Sequence, residues 1–310
     1  MARILDGKWV RDGILAELKP RVERLAGSHR PPGLAVILAG NNPASEIYVR
    51  NKVKACEELG ILSRKLTPPD SVATEELLSE IARLNESDDI DGILVQMPLP
   101  KQVNAWRVLE AVAPDKDADG FHPINAGYLS GNRPGPRPCT PAGIMELLRR
   151  YEIPVAGKRA VVVGRSDIVG KPMAMLLLHS HATVTICHSK TADLPGVCRQ
   201  ADILVAAMGR PALVTADFIR PGAMVIDVGM NRLGERAEVE RVFRGSAAKL
   251  AEFDKKGSVL VGDVHPLDVA ECAGAYTPVP GGVGPLTIAM LMVNTVASAE
   301  RRLLGCSSSR

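Results

Sequence analysis

Aromatic residues are scarce: four Phe, four Tyr and two Trp among 310 residues. A core with so few rings must be built from Ala, Val, Leu and Ile, which suits helices packed on a buried parallel sheet. An excess of one charge is also missing. Lys and Arg number 38 against 35 Asp and Glu, for a net charge of +3. With no basic run interleaved with aromatics, nucleic acid is not expected as a partner. The six cysteines, at 56, 139, 187, 198, 272 and 306, form no Cys-x-x-Cys pair and show no zinc-like spacing. Reduced, mostly buried thiols in a reducing compartment are expected, and no metal. Charges fall within the first eight residues, where a secretory leader needs an apolar stretch. No apolar run reads as approaching membrane-spanning length. The expectation is a cytoplasmic protein without a membrane partner.

What is present is a regular alternation of short apolar runs with amphipathic stretches, the sign of α/β units. At 310 residues, 46% hydrophobic and 24% charged, the chain suits two ordinary domains. Residues 34–38 read as a first strand closed by Ala39-Gly40. Asn42 can cap the next helix, with Pro43 at its first position. Residues 93–95 read as another strand, ending at Gln96. Proline and glycine cluster over 123–141, where a crossing between domains is expected, followed by a helix over 142–151. Apolar runs at 160–163, 183–187, 203–206 and 224–227 describe a second parallel sheet, and 286–304 a long terminal helix. Residues 232–257 read as a charged surface excursion, helical over 239–253. The polar tail 307–310 is expected to fray. The fold class expected is α/β with two α/β domains, the second Rossmann-like. One domain is assigned to 1–122 with 284–310 and the other to 141–276, leaving 123–140 and 277–283 as linkers.

After the strand at 160–163 comes Gly164-Arg-Ser-Asp-Ile-Val-Gly170, then a helical run. Gly164 lets the backbone leave the strand sharply and Gly170 permits close packing. The helix N-terminus then offers free N–H groups to a pyrophosphate. Ser166 stands where the usual fingerprint has its second glycine, so a purely structural turn stays open on the motif alone. An NAD site places an acid at the end of the next strand. Here that strand ends Cys187-His188-Ser189-Lys190. Arg165, His188, Ser189 and Lys190 can surround a 2′-phosphate instead, so NADP is expected.

Ser45, Tyr48 and Lys52 are three and four residues apart and share a helical stripe at the edge of an apolar one. Partial desolvation there suits an amine for acid–base work; an ordinary surface lysine is the alternative. Gln96 closes a strand, and ligands of open α/β sheets bind at the carboxyl ends of strands, so these groups are expected to converge. Asp115-Lys-Asp-Ala-Asp-Gly120 looks like the head of a calcium loop, but its twelfth position is Ala126 rather than a bidentate Glu. A carboxylate pairing with a cationic or amide-like ligand edge is the better reading of Asp119, beside that of an acidic turn. Thr277-Pro-Val-Pro-Gly-Gly-Val-Gly-Pro285 is stiff and glycine-rich at once, which suits close approach of a ligand or a hinge.

Together these segments resemble the methylenetetrahydrofolate dehydrogenase/cyclohydrolase family. The matching strings include Ser45-Glu-Ile-Tyr-Val-Arg-Asn-Lys-Val-Lys54, Asp91-Gly-Ile-Leu-Val-Gln-Met-Pro-Leu-Pro100 and Pro114-Asp-Lys-Asp-Ala-Asp-Gly120. They continue with the 164–172 turn, Asp227-Val-Gly-Met-Asn231 and 277–285. The resemblance implies NADP-dependent oxidation of 5,10-methylene-tetrahydrofolate to the methenyl form, then hydrolysis to 10-formyl-tetrahydrofolate. It implies a homodimer, a folate cleft between two α/β domains, and a terminal helix returning to the first. It makes Lys52 the central catalytic group, with Tyr48 stacking on the folate, Gln96 supporting the lysine and Asp119 anchoring the pterin. Gly164, Arg165 and Ser166 would bind the cofactor phosphates, with Ser189 near the 2′-phosphate and Met230 on the nicotinamide side. Pro280, Gly281 and Gly282 would line the folate pocket. Two departures stand out: the long 232–257 segment, and Met230 where the family often has Ile. Hydride transfer mainly needs orientation, while hydrolysis needs a group such as Lys52 to manage a proton or polarise water. Two rivals remain. A related Rossmann dehydrogenase should lack the Tyr48/Lys52, Gln96 and Asp119 set, and a non-catalytic folate or NADP binder should have lost Lys52.

Overall fold

The structure, a computed structural model, describes residues 2–303 and Gly305, and of Pro43 and Ala44 the backbone alone. Leu304, Cys306 and the tail expected to fray lie outside the described residues. The first part of the chain runs β1 (Arg3–Ile4), α1 (Gly7–Ser28), β2 (Gly33–Ile37), α2 (Pro43–Leu59) and β3 (Leu62–Leu66). It continues α3 (Thr74–Glu86), β4 (Gly92–Val95), α4 (Ala105–Ala111) and α5 (Pro123–Ser130). Next come α6 (Cys139–Arg150), β5 (Arg159–Val163), α7 (Gly170–His179), β6 (Thr183–Cys187), α8 (Leu194–Cys198), β7 (Ile203–Ala206) and β8 (Met224–Asp227). The last elements are β9 (Asn231–Leu233), α9 (Arg236–Val242), α10 (Ala247–Lys256), β10 (Val259–Val261), α11 (Pro266–Cys272), β11 (Ala275–Tyr276) and α12 (Val283–Leu303). The chain divides into two compact units, Arg11–Cys139 with Thr287–Arg310, and Met1–Val10 with Thr140–Leu286.

The unit of 11–139 and 287–310 is built on three parallel strands in the order β3-β2-β4. Every residue of β2 is buried, which is why it reads as an apolar run without alternation. β3 is a largely exposed edge strand, Leu-Ser-Arg-Lys-Leu, and its polarity hid it in the sequence. The core joins Ala35, Ile37, Ile93 and Val95 of the sheet to Leu77, Ile81 and Leu84 of α3. The chain leaves β2 for β3 and returns to β4, so the topology switches at the carboxyl ends of β2 and β4. Residues 123–140, expected as a linker, instead carry α5 and, as far as Cys139, pack within this unit. Pro123 starts the helix and His122 caps it, accepting from Ile124 N. Asn125 Nδ2 then donates to Pro114 O and to Asp117 Oδ2, both at 2.8 Å.

The lower part of α12 belongs here too. Asn294 Nδ2 donates to Ala118 O (2.9 Å), Ser298 Oγ to Asp115 O (2.6 Å) and Arg302 Nη1 to Asp91 Oδ1 (2.8 Å). α12 corrects the reading that no run approaches membrane-spanning length. It is long and apolar enough to cross a bilayer, being uncharged from Val283 to Ala299, yet 50% of that stretch is buried inside the protein. That burial is what a core helix shows. Leu286, Ala289, Leu291, Met292, Val296 and Ala299 are all withdrawn from solvent.

The second unit is built on six parallel strands in the order β1-β11-β8-β7-β5-β6. The four expected strands lie together, and two more extend the sheet. β1 joins through Arg3 N to Gly274 O (2.9 Å) and Leu5 N to Tyr276 O (2.8 Å), so the first ten residues belong to this unit rather than with 11–122. Each added strand is only two residues long, too short to show a period. The 232–257 excursion is framed by β9 and β10, which pair antiparallel. The single helix expected over 239–253 is two helices. Arg244 and Gly245 both adopt positive φ (47° and 72°), which no α-helix carries through. The excursion has its own apolar cluster of Leu233, Val239, Val242, Val259 and Val261. The 277–283 segment is packed rather than free. Gly282 N bonds Pro278 O (2.8 Å), and Gly7 N bonds Gly281 O (3.0 Å) so closely that a Cβ on Gly7 would meet Gly282 O at 1.7 Å.

Candidate functional site

α2 starts where Asn42 Oδ1 accepts from Ser45 N at 3.2 Å. Ser45, Tyr48 and Lys52 follow on one stripe: Ser45 and Lys52 are buried, while Tyr48 is 38% exposed. Lys52 retains only 7% exposure, which removes the ordinary surface-lysine reading. Its Nζ donates to Gln96 Oε1 at 3.0 Å. Gln96 Nε2 donates to Met97 O at 2.8 Å, which turns the amide so that its oxygen faces the lysine. The pair meets because β2 and β4 are neighbours, placing α2 and Gln96 at one end of the sheet.

The Asp119 turn is tied to the same sheet. Ile93 N donates to Lys116 O (2.7 Å) and Ala118 N to Ile93 O (3.3 Å), so the turn runs beside β4. Lys116 is buried and donates to the carbonyls of Leu84 (3.0 Å), Asn85 (2.6 Å) and Ser87 (2.8 Å), where a cation complements the C-terminal end of α3. Asp117 accepts from Gly120 N (3.0 Å), His122 N (2.8 Å) and Asn125 Nδ2 (2.8 Å). Gly120 has φ +76°, and a Cβ there would lie 2.5 Å from Arg137 C, so no other residue fits. These anchors present Asp119 without spending its carboxylate. Among the described residues none donates a hydrogen bond to that group. Burial pushes its carboxyl up to about 6, with the Lys52 charge pulling it down and Asp117 pushing it further up. The Lys52 charge acting on Asp119 makes the two one electrostatic site. Among the described residues of this unit two thiols are buried. Cys56 is pushed up to about 12, chiefly by burial, and Cys139 well above its ordinary value, also by burial. Neither is a thiolate near neutral pH.

In the other unit, the turn after β5 lies where the topology switches from β6 to β7 on either side of β5. Gly164 has φ +129°, and a Cβ there would meet Ala207 O at 2.2 Å; one on Gly170 would meet Gly164 O at 2.2 Å. Ser166 Oγ accepts from the N–H groups of Val169 and Gly170, both at 3.2 Å, so the hydroxyl caps α7. The acid in the turn, Asp167, is neutralised by Lys171 at 2.5 Å. Arg165 and Ser166 are exposed. Beyond β6, His188 folds a local turn, with its N donating to Thr191 Oγ1 (2.9 Å) and its Nδ1 accepting from Lys190 N (3.1 Å). Ser189 and Lys190 are exposed, and no acid follows β6 before Asp193. A tight glycine turn, a capped helix N-terminus and a basic, acid-free strand end fit a phosphorylated dinucleotide. Met230, 42% exposed, follows β8.

Pro280, Gly281 and Gly282 belong to this second unit, whereas Lys52, Tyr48, Gln96 and Asp119 belong to the first. Two residues escaped the sequence reading. Asp117 fixes the Asp119 turn, yet its neighbouring acids in the string look equivalent to it. Asp263, fully buried, sits inside the apolar run Val-Leu-Val-Gly-Asp-Val, and an acid interrupting such a run is the signal that could have flagged it.

Both halves of the chain match known proteins. Residues 5–119 match the family model "Tetrahydrofolate dehydrogenase/cyclohydrolase, catalytic domain", and residues 138–303 match "Tetrahydrofolate dehydrogenase/cyclohydrolase, NAD(P)-binding domain". The bifunctional protein FolD of Solibacter usitatus is 67% identical over 306 residues, covering 99% of this chain and 100% of the relative. The bifunctional enzyme FolD of Campylobacter jejuni has a solved structure with TM-score 0.89 and 45% identity, covering 98% of this chain and 100% of that one. The Trypanosoma brucei dehydrogenase-cyclohydrolase, solved with NADP cofactor and an inhibitor, gives TM-score 0.87 and 39% identity, with 97% and 98% covered. On the match of both halves and on full-length identity to these relatives, the chain belongs to the tetrahydrofolate dehydrogenase/cyclohydrolase family.

Proposed function

We propose that this bifunctional enzyme oxidises 5,10-methylene-tetrahydrofolate with NADP and hydrolyses the methenyl product to 10-formyl-tetrahydrofolate, with Lys52 as the group that handles the proton. The paired activities and the NADP cofactor follow from family membership. The roles of individual residues are our reading of the geometry. The observation that carries it is the buried Lys52 Nζ, held 3.0 Å from an amide oxygen whose own orientation is fixed.

When bound, NADP supplies the hydride acceptor. Arg165 and Ser166 hold its phosphates at the α7 N-terminus, with Gly164 allowing the close approach. His188 and Ser189 take the 2′-phosphate side, and Met230 the nicotinamide side. Asp119 holds the pterin through its amide-like edge, and Tyr48 stacks on the folate. Loss of hydride from the methylene carbon leaves a cation shared between two nitrogens, so the protein needs to orient rather than to activate. Hydrolysis asks more. Water adds to the methenyl carbon and a proton must leave it, and Lys52 takes that proton or polarises the water, with Gln96 fixing its position. Pro280, Gly281 and Gly282 complete the folate contacts. The proposal extends to a cytoplasmic homodimer that acts at no membrane and on no nucleic acid, and feeds one-carbon units to purine synthesis.

The test follows purified protein with 5,10-methylene-tetrahydrofolate and NADP, reading NADPH and methenyl absorbance separately. NADPH should form without methenyl-folate accumulating. Absence of NADPH formation would overturn the dehydrogenase half, and methenyl-folate building up in the wild type would overturn the hydrolase half.

A further inference from the structure

Asp263 has no solvent exposure and takes four hydrogen bonds. Its Oδ2 accepts from Met208 N (2.6 Å) and Gly209 N (2.9 Å), and its Oδ1 from Arg210 N (2.9 Å) and Asn231 Nδ2 (2.9 Å). The first three donors lie on the loop after β7, and the fourth is the first residue of β9, just past the turn after β8. Those strands are adjacent and parallel, so one carboxylate ties together two loops at the carboxyl edge of the sheet. Asp227, at the end of β8, aims it. Asp227 Oδ1 accepts from Asp263 N (2.8 Å) and Gly229 N (2.9 Å), and Oδ2 accepts from Val264 N (3.0 Å). The fit is close, since a Cβ on Gly229 would lie 2.4 Å from Asp263 Oδ1. Met230 therefore stands between two tethered neighbours, Gly229 through Asp227 and Asn231 through Asp263.

A buried acid is costly, and here four N–H groups offset the cost instead of a cation. An apolar residue would fill the space, but it would leave the loop N–H groups unpaired. The carboxylate therefore defines where the backbone of 208–210 and of 230 lies. Open parallel sheets bind their ligands at this edge. We propose that Asp263 is a positioning residue for the nicotinamide end of NADP, acting through the Met208–Arg210 loop and the Met230 backbone without touching the cofactor. This rests on the reading that Met230 lies on the nicotinamide side.

The experiment is calorimetric titration of the full-length protein, wild type and Asp263→Asn, with NADP and with 2′-phospho-ADP-ribose, which lacks the nicotinamide. Cofactor-free cyclohydrolase turnover is measured alongside. In Asp263→Asn, NADP affinity should fall about tenfold, as expected for a site displaced by a fraction of an ångström. Affinity for 2′-phospho-ADP-ribose and the cyclohydrolase rate should stay within about twofold. Unchanged NADP affinity, an equal loss for both ligands, or a parallel loss of cyclohydrolase would overturn the proposal. If Asp263→Asn does not fold, Asn231→Ala removes one donor only; NADP should then weaken about two- to threefold, and no change overturns the inference. A wild type that binds both ligands equally would sink the Met230 reading itself, a failure distinct from that of Asp263.

Discussion

Asp119 and Asp263 both sit in turns that run beside a sheet, Asp119 half-buried and Asp263 fully withdrawn from water. Their surroundings differ completely. Asp263 is saturated by three backbone N–H groups and one side-chain amide, while the Asp119 carboxylate feels the charge of Lys52 and accepts no hydrogen bond from the described residues. A carboxylate whose acceptor sites are filled can only hold its own chain, whereas one left with open acceptor sites beside a cation can take a ligand. Asp117, two residues before Asp119, is of the first kind and shows how the two depend on each other. The filled acid holds the turn that presents the open one.

The sharpest break of this comparison is Lys52→Met, which removes the cation beside Asp119. Cyclohydrolase turnover should drop at least about 100-fold, the scale of acid–base catalysis. Dehydrogenation should persist, so methenyl absorbance accumulates. Full hydrolysis by that variant would discard the lysine's role. Next is Asp119→Asn, for which the KM for the folate substrate should rise about tenfold, the worth of one charge-assisted hydrogen bond. The wild type should also show a pH dependence with a defined sign. Because the Asp119 carboxyl is raised to about 6, it is protonated below that pH and ionised above it. The folate KM should fall as pH rises through about 6, and in Asp119→Asn that inflection should vanish.

Asp117→Ala probes the filled acid in the same unit. Three donors lose their acceptor, which should cost about 1–3 kcal/mol of stability by thermal denaturation. The folate KM should rise with the displaced turn while NADP affinity stays unchanged. Equal weakening of both ligands would mean that Asp117 only holds the fold. The smallest effect is expected farthest from either acid. Val239→Ala in the excursion should cost about 1.5 kcal/mol from lost apolar burial. It should speed proteolysis within 232–257 and leave both activities within about twofold.

Much of this protein was legible in its residues. The central strands β8, β7 and β5 announced themselves because a strand covered on both faces must be apolar throughout, the exposed edge strand β6 because its run Thr-Val-Thr-Ile-Cys is rich in β-branched residues, and the α2 start because Asn42 and Pro43 act locally. The Lys52 stripe was legible from helical spacing. Its burial was not, since that depends on β2 and β4 lying side by side. The elements that went unseen share a cause. β1 and β11 are two residues long, β3 is a polar edge, and the break at Arg244-Gly245 carries no proline.

Local order therefore settled the α/β class, the glycine turn after β5 and the stripe that carries Lys52, because spacing and turn chemistry act over a few residues. The sorting of the acids needed the folded chain. Which carboxylate is filled by N–H groups and which stays open depends on donors 53–55 residues away for Asp263, across two neighbouring strands. No pattern along the chain encodes such a pairing, since it exists only once packing has brought those loops to one edge of the sheet.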